Sequence, residues 1–245
     1  MLDWLAVQLI ESGWKLKELH RLILTSATWR QAAPVVAARA GREDVKVSFR
    51  LRPEANGSGV SLRRLDAESL RDAMLAVSGE LDLRMGGAYV PTKADKDGQV
   101  VVDEKQDGAR RRSIYLQQRR TAPVGILSAF DGPAHNPVCV QRVSSTVALQ
   151  SLMLLNSEFV RLRARAFATR LLELGDERGG NDAKRVDQAF ERAFARPAGP
   201  EERDAALDFL RDQALVYAGQ PEANLRVWTD LCQMLLASNG FLYVD

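Results

Sequence analysis

The sequence predicts a mainly α protein: a multi-helix domain with a small β-hairpin inserted near the middle and a helical subdomain at the C-terminal end. Three observations carry that reading. From Thr146 to Leu174, apolar residues recur at helical spacing, through Leu149, Leu152, Leu155, Phe159, Val160, Phe167 and Leu171. The run Arg196-Pro197-Ala198-Gly199-Pro200-Glu201-Glu202 stops one helix and starts the next, with proline at the first turn and acids where the helix dipole favours them. The segment 93–109 is charged and turn-rich around Val100-Val101-Val102, the pattern of a hairpin arm.

In chain order, residues 2–12 carry Leu2, Leu5, Leu9 and Ile10 at helical spacing, and Gly13 ends that helix. A second helix, about 15–25, puts Leu16, Leu19, Leu22 and Ile23 on one face, with His20 beside the stripe. Val45 to Leu51 alternates with period two and reads as extended chain, before a turn at Asn56-Gly57-Ser58-Gly59. Asp66 is placed to N-cap a helix that buries Leu70, Met74, Leu75 and Val77 and ends at Ser78-Gly79. The hairpin arm spans about 89–118, with 99–103 as one strand and 112–118 as its partner. The long helix of 146–174 follows, with Asn156 marking a kink or a buried polar contact. Residues 183–195, 201–217 and 221–238 read as three final helices. Two regions result: 1–175, a helical domain with the hairpin arm, and 183–245, a three-helix subdomain packed on it as part of one structural unit.

Composition bounds the chemistry. With 245 residues, 46% hydrophobic and 27% charged, the chain can bury a sizeable core and is not of disordered type. A net charge of +2 identifies no partner class by itself. Only Cys139 and Cys232 are present, so there is no disulfide framework, no CxxC zinc motif and no CxxCH for haem attachment; whether the two pair is open. His20 and His135 are the only histidines, too few for a His-rich metal site. No apolar run is long enough for a membrane span, and residues 1–12 lack the pattern of a signal peptide. Read as complete, the chain is expected in the cytoplasm. Walker, GxGxxG and GxSxG patterns are absent. Asp95, Asp97 and Gly98 do not continue into a calcium-loop spacing.

Two sets of residues remain as site candidates. Asp131, His135 and Cys139 are the residue types of a nucleophile–base–orienter site, but Gly132, Pro133 and Pro137 prevent their four-residue spacing from aligning them on a helix. Their structural readings are a turn cap for Asp131 and a small buried hydrophobe for Cys139. Arg111, Arg112, Arg119, Arg120 and Arg142, with Arg110, face a single acid, Asp131, between 110 and 142. Such a set suits an anionic ligand or nucleic acid, although few aromatics interleave with it. The alternative for the arginines is structural ion pairing and solvated charge.

Several phrases together identify a relationship. They are Leu2-Asp3-Trp4-Leu5-Ala6, Leu19-His20-Arg21-Leu22-Ile23, Thr25-Ser26-Ala27-Thr28-Trp29-Arg30, Arg64-Leu65-Asp66-Ala67-Glu68, Arg111-Arg112-Ser113-Ile114-Tyr115-Leu116, Leu155-Asn156-Ser157 and Phe241-Leu242-Tyr243-Val244-Asp245. The chain resembles the planctomycete-specific domain of unknown function that forms the C-terminal module of large planctomycete cytochrome-c-type proteins. Phe130-Asp131-Gly132-Pro133 resembles that family's Phe-Asp-x-Pro turn. No activity or catalytic residue carries over from it. The resemblance implies a C-terminal piece of an exported protein, at the periplasm or cell surface, with haem held only in upstream cytochrome-c-like modules and no cofactor in this chain. Its implied partners are those upstream domains or another protein. The preferred expectation is a non-catalytic scaffold or interaction domain. The alternatives are an enzyme or carbohydrate-processing component with a site near Asp131 and His135, and anion or nucleic-acid binding through the 110–142 arginines.

Overall fold

A computed structural model describes residues 1–27, 29, 63–133, 142, 145–173 and 181–244. These fall into two units, each considered by itself: residues 1–27 with 29, and residues 63–244. The first holds α1 (Leu2–Glu11) and α2 (Leu16–Leu24), separated by a turn in which Gly13 takes φ 69°. The two helices pack on each other, with Leu5, Leu9, Leu19 and Ile23 half-buried and His20 exposed. The extended segment expected at 45–51 and the turn at 56–59 lie outside the described residues.

The second unit begins with β1 (Arg63–Arg64) and α3 (Ala67–Ser78), then β2 (Thr92–Ala94), β3 (Val100–Val102) and α4 (Gly125–Ala129). It continues through α5 (Ala148–Asn156), α6 (Glu158–Glu173), α7 (Asp182–Phe194), α8 (Pro200–Val216) and α9 (Ala223–Leu236), and closes with α10 (Asn239–Leu242) and β4 (Tyr243–Val244). The mainly helical class with a small hairpin and C-terminal helices is as the sequence predicts. Helix α6 is central. Val160, Ala164, Phe167, Ala168 and Leu171 are fully buried on it, between α3 on one side and α9 on the other. Helix α9 contributes Leu231, Cys232, Leu235 and Leu236, and α7 and α8 pack against it in turn. Each fully buried large side chain here stabilises the unit by about 1.5–3 kcal/mol relative to exposure. The unit's two ends meet: β1 pairs antiparallel with β4, Arg63 opposite Val244 and Arg64 opposite Tyr243.

Local chemistry explains the boundaries. Asp66 sits at the N-cap of α3 without a side-chain capping bond, and Gly79 ends that helix in the left-handed conformation at φ 80°. Pro200 opens α8, where the Glu202 carboxylate accepts the Gly199 N–H at 2.9 Å and grips Arg196 with both oxygens. That pairing with Arg196 outweighs partial burial and holds Glu202 below the usual carboxylate range.

Two expectations are corrected. The hairpin does not pair 99–103 with 112–118. β3 pairs instead with β2, Thr92 opposite Val102, across the Asp95–Gln99 turn. Residues 113–115 form a 3₁₀ turn because the Asp72 carboxylate accepts both the backbone N–H and the hydroxyl of Ser113 at 2.7 Å, caging that segment against α3. Nor is 146–174 one helix. Ser157 is extended at ψ 128°, and α5 and α6 meet there. Asn156-Ser157-Glu158 is a helix-start signature inside an apolar stripe.

Candidate functional site

Three assemblies stand out, one at the junction of β1, α4 and α5 and two where the hairpin, α3 and the start of α6 converge. The first is a latch. Arg64, from β1, donates to Asp131 Oδ2 at 2.6 Å, to the Phe130 carbonyl at 3.2 Å and to the Ser145 carbonyl, with its guanidinium over the Phe130 ring. Asp131 also accepts the Ser145 backbone N–H at 2.7 Å and the Ser145 hydroxyl at 2.8 Å. Burial opposes ionisation of Asp131, but the Ser145 and Arg64 hydrogen bonds overcome it and set its carboxyl below the usual range. The residue has φ 58°, a conformation that short polar side chains tolerate best among non-glycine residues. Beside it, Gly132 brings its backbone so close to α4 that a Cβ would lie 2.6 Å from the Leu127 carbonyl oxygen. Asp131 therefore ties β1, the end of α4 and the approach to α5 together. His135 and Cys139 lie outside the described residues.

The second assembly is a buried cationic cluster. Arg163 of α6 is 2% exposed, with Nε 2.9 Å from Glu80 and Nη2 2.8 Å from Glu104; Arg110 meets the other Glu80 oxygen at 3.1 Å. Arg71 of α3 donates to the carbonyls of Arg111 and Ala109 at 3.0 and 2.8 Å. Burial pulls its pKa down to about 10, so it stays charged at neutral pH. The ring of Phe159 lies beneath both guanidiniums, 5.3 Å from Arg71 and 5.1 Å from Arg163. The sequence carries a sign of this cluster. Arg163 sits four residues from both Phe159 and Phe167, and Arg71 four from Ala67 and Leu75, so both occupy buried helix faces.

The third assembly is a cleft of about 510 Å³ above that cluster. Its apolar floor and walls come from the hairpin valines, Val124, Ile126, Met153 and Phe159, with Leu149 and Leu152 of α5 on its flank. Arg71 reaches its base, and Asp95, Asp97, Glu104 and Glu158 stand around it. Asp95 is committed to the hairpin turn, accepting the N–H groups of Asp97 and Gln99. Glu104 is committed to Arg163.

The arginines singled out in the sequence separate from one another. Arg111 is buried, lies 3.8 Å from the Tyr115 ring centroid and donates to the carbonyls of Ala88, Arg84 and Gly86, fixing that loop from within. Arg112 is half-buried at the start of the 3₁₀ turn. Arg119 and Arg120 are exposed, Arg119 donating to Gln117. Arg142 forks onto Glu68 at 2.7 and 2.9 Å at the start of α3. Cys232 is a free thiol in the core, and burial raises its pKa well above the ordinary value. Among the described residues, no group of three or more His, Cys, Asp or Glu side chains could hold a metal ion, and no helix is long and apolar enough to cross a membrane.

The fold and its cleft define a mainly helical domain with an apolar, acid-rimmed groove supported by internal arginine clusters. The chain belongs to the PSD1 family, described as a protein of unknown function (DUF1553), which it matches over residues 1–210. No curated protein and no solved structure matches it.

Proposed function

We propose that this chain is a non-catalytic interaction module, serving as the docking or scaffold domain of an exported cytochrome-c-type multidomain protein of planctomycetes, at the periplasm or cell surface. The observation that carries it is the cleft. Leu149 and Leu152 stand 65% and 52% exposed on its flank, whereas the polar groups nearest its base are tied into the framework. Exposed apolar side chains beside a preformed concavity are the usual mark of a binding surface. The cytochrome context rests on the sequence resemblance, which spans phrases from Leu2 to Asp245. On this reading haem belongs to upstream modules, and this chain supplies the surface that positions them.

The experiment is to mix the chain with separately produced upstream cytochrome-c-like modules and follow them by size-exclusion chromatography. Joint elution at micromolar concentration is expected. Separate elution at every concentration reached would overturn the reading.

A further inference from the structure

The geometry points to a basic amphipathic helix, supplied by a partner, as the occupant of the cleft beside α5. This rests on the interaction-module reading and gives it a recognition chemistry. The first observation is the apolar ridge of α5. Leu149, Leu152 and Leu155 are all more than half exposed, at spacings of three residues along one helix. Leu149 and Leu152 flank the cleft, while Leu155 borders a second depression of about 430 Å³ formed with Met234 and Ala237. The ridge therefore joins two concavities over about 9 Å of helix, a length suited to an extended partner laid across both.

The second observation is charge. Four carboxylates and one guanidinium line the cleft, and Asp230 lines the second depression. Two of the cleft carboxylates, Asp97 and Glu158, are exposed and, among the described residues, form no ion pair. Nearby acids behave differently: Asp103 holds Lys93 at 2.6 Å and Glu104 holds Arg163 at 2.8 Å. An apolar floor with unpaired carboxylates on the rim complements leucine-like side chains flanked by lysine or arginine. Asp230 and Gln233 also line a further depression with Arg161, Arg165 and Arg226, where Glu222 holds Arg165 at 2.8 Å.

Fluorescence anisotropy with the intact chain tests this, using a fluorescein-labelled amphipathic peptide of leucine and lysine and its leucine and glutamate counterpart, each about 18 residues long. The lysine peptide is expected to bind at least about tenfold tighter than the glutamate peptide, with an affinity that falls as salt rises. Leu152→Ser, and separately the pair Asp97→Asn with Glu158→Gln, should each weaken it about fivefold or more. Asp204→Asn with Asp212→Asn, on the exposed face of α8, should leave it unchanged. Equal binding of the two peptides, or loss on the α8 pair as large as on the rim pair, overturns the proposal, as does a concentration-dependent dimer abolished by Leu152→Ser, which would assign the ridge to a second copy. Joint elution with the upstream modules that survives Leu152→Ser would sink this occupant while leaving the module reading intact. Peptide binding without joint elution would do the reverse.

Discussion

Replacing Asp131 with alanine removes both acceptor oxygens of the latch and with them three hydrogen bonds: from Arg64 at 2.6 Å, from the Ser145 N–H at 2.7 Å and from the Ser145 hydroxyl at 2.8 Å. The Arg64 side chain is 5% exposed and would keep only carbonyl oxygens around its charge. Removing one partner of a buried pair typically costs about 3–5 kcal/mol; the 26% exposure of Asp131 lets water repair part of the loss. The φ of 58° adds roughly 1 kcal/mol for alanine. Together these predict about 2–4 kcal/mol of lost stability at pH 7, read by urea unfolding under far-UV circular dichroism. Asp131→Asn, which keeps the backbone preference and one acceptor oxygen, should lose about half as much. The pH dependence follows from the lowered folded pKa of Asp131. Its contribution is fully present above the unfolded carboxylate value of about 3.9 and is lost as pH falls through the lower folded value. The gap between wild type and Asp131→Asn should therefore hold from neutral pH down to about 4 and close only below it. An Asp131→Ala chain within about 0.5 kcal/mol of wild type at pH 7 would refute the latch and free this carboxylate for another role.

Three further outcomes follow from the same contacts. Gly132→Ala should destabilise by at least about 2 kcal/mol in the same unfolding assay, because its Cβ would meet the Leu127 carbonyl oxygen at 2.6 Å and the backbone must shift. Arg163→Met should cost about 2–4 kcal/mol by leaving Glu104, 27% exposed, without its 2.8 Å cation and Glu80 with Arg110 alone, and adding Glu104→Gln should restore part of that loss; no restoration would mean that packing, not charge, dominates the site. In a Cys139→Ser background, the Cys232 thiol should resist a thiol-reactive dye in the folded chain and react readily in urea, since it is fully buried and disfavoured as a thiolate; fast labelling of the folded chain would contradict the core placement.

The fold was legible where local chemistry decides the outcome. Gly79 and Pro200 mark their helix boundaries by conformational necessity, and the Leu70–Met74 spacing already names the face that α3 buries. The pairing of β3 was not legible, because a hairpin turn around Asp95 and a longer return to 112–118 satisfy the same alternation; only the Asp72 contacts to Ser113 remove the second choice. The break at Ser157 hid inside an apolar stripe, and that stripe divides: Val160 and Phe167 enter the core, while Leu149, Leu152 and Leu155 face outward. The cleft depends on residues from the hairpin, α4, α5 and α6 that only tertiary packing brings together, so no motif announced it. Asp131 was legible as a turn residue but not as the partner of Arg64, which lies 67 residues earlier. Arg71 and Arg163 could have been found, because charged residues at core spacing on two helices signal a buried ionic cluster.

Docking at the cleft is tested by amide hydrogen exchange on the chain with and without the upstream cytochrome-c-like modules. Slower exchange is expected in residues 148–156 and 92–102, the two walls of the cleft, with little change on α8. Unchanged exchange along both walls, with protection confined to α8 or seen nowhere, would contradict it.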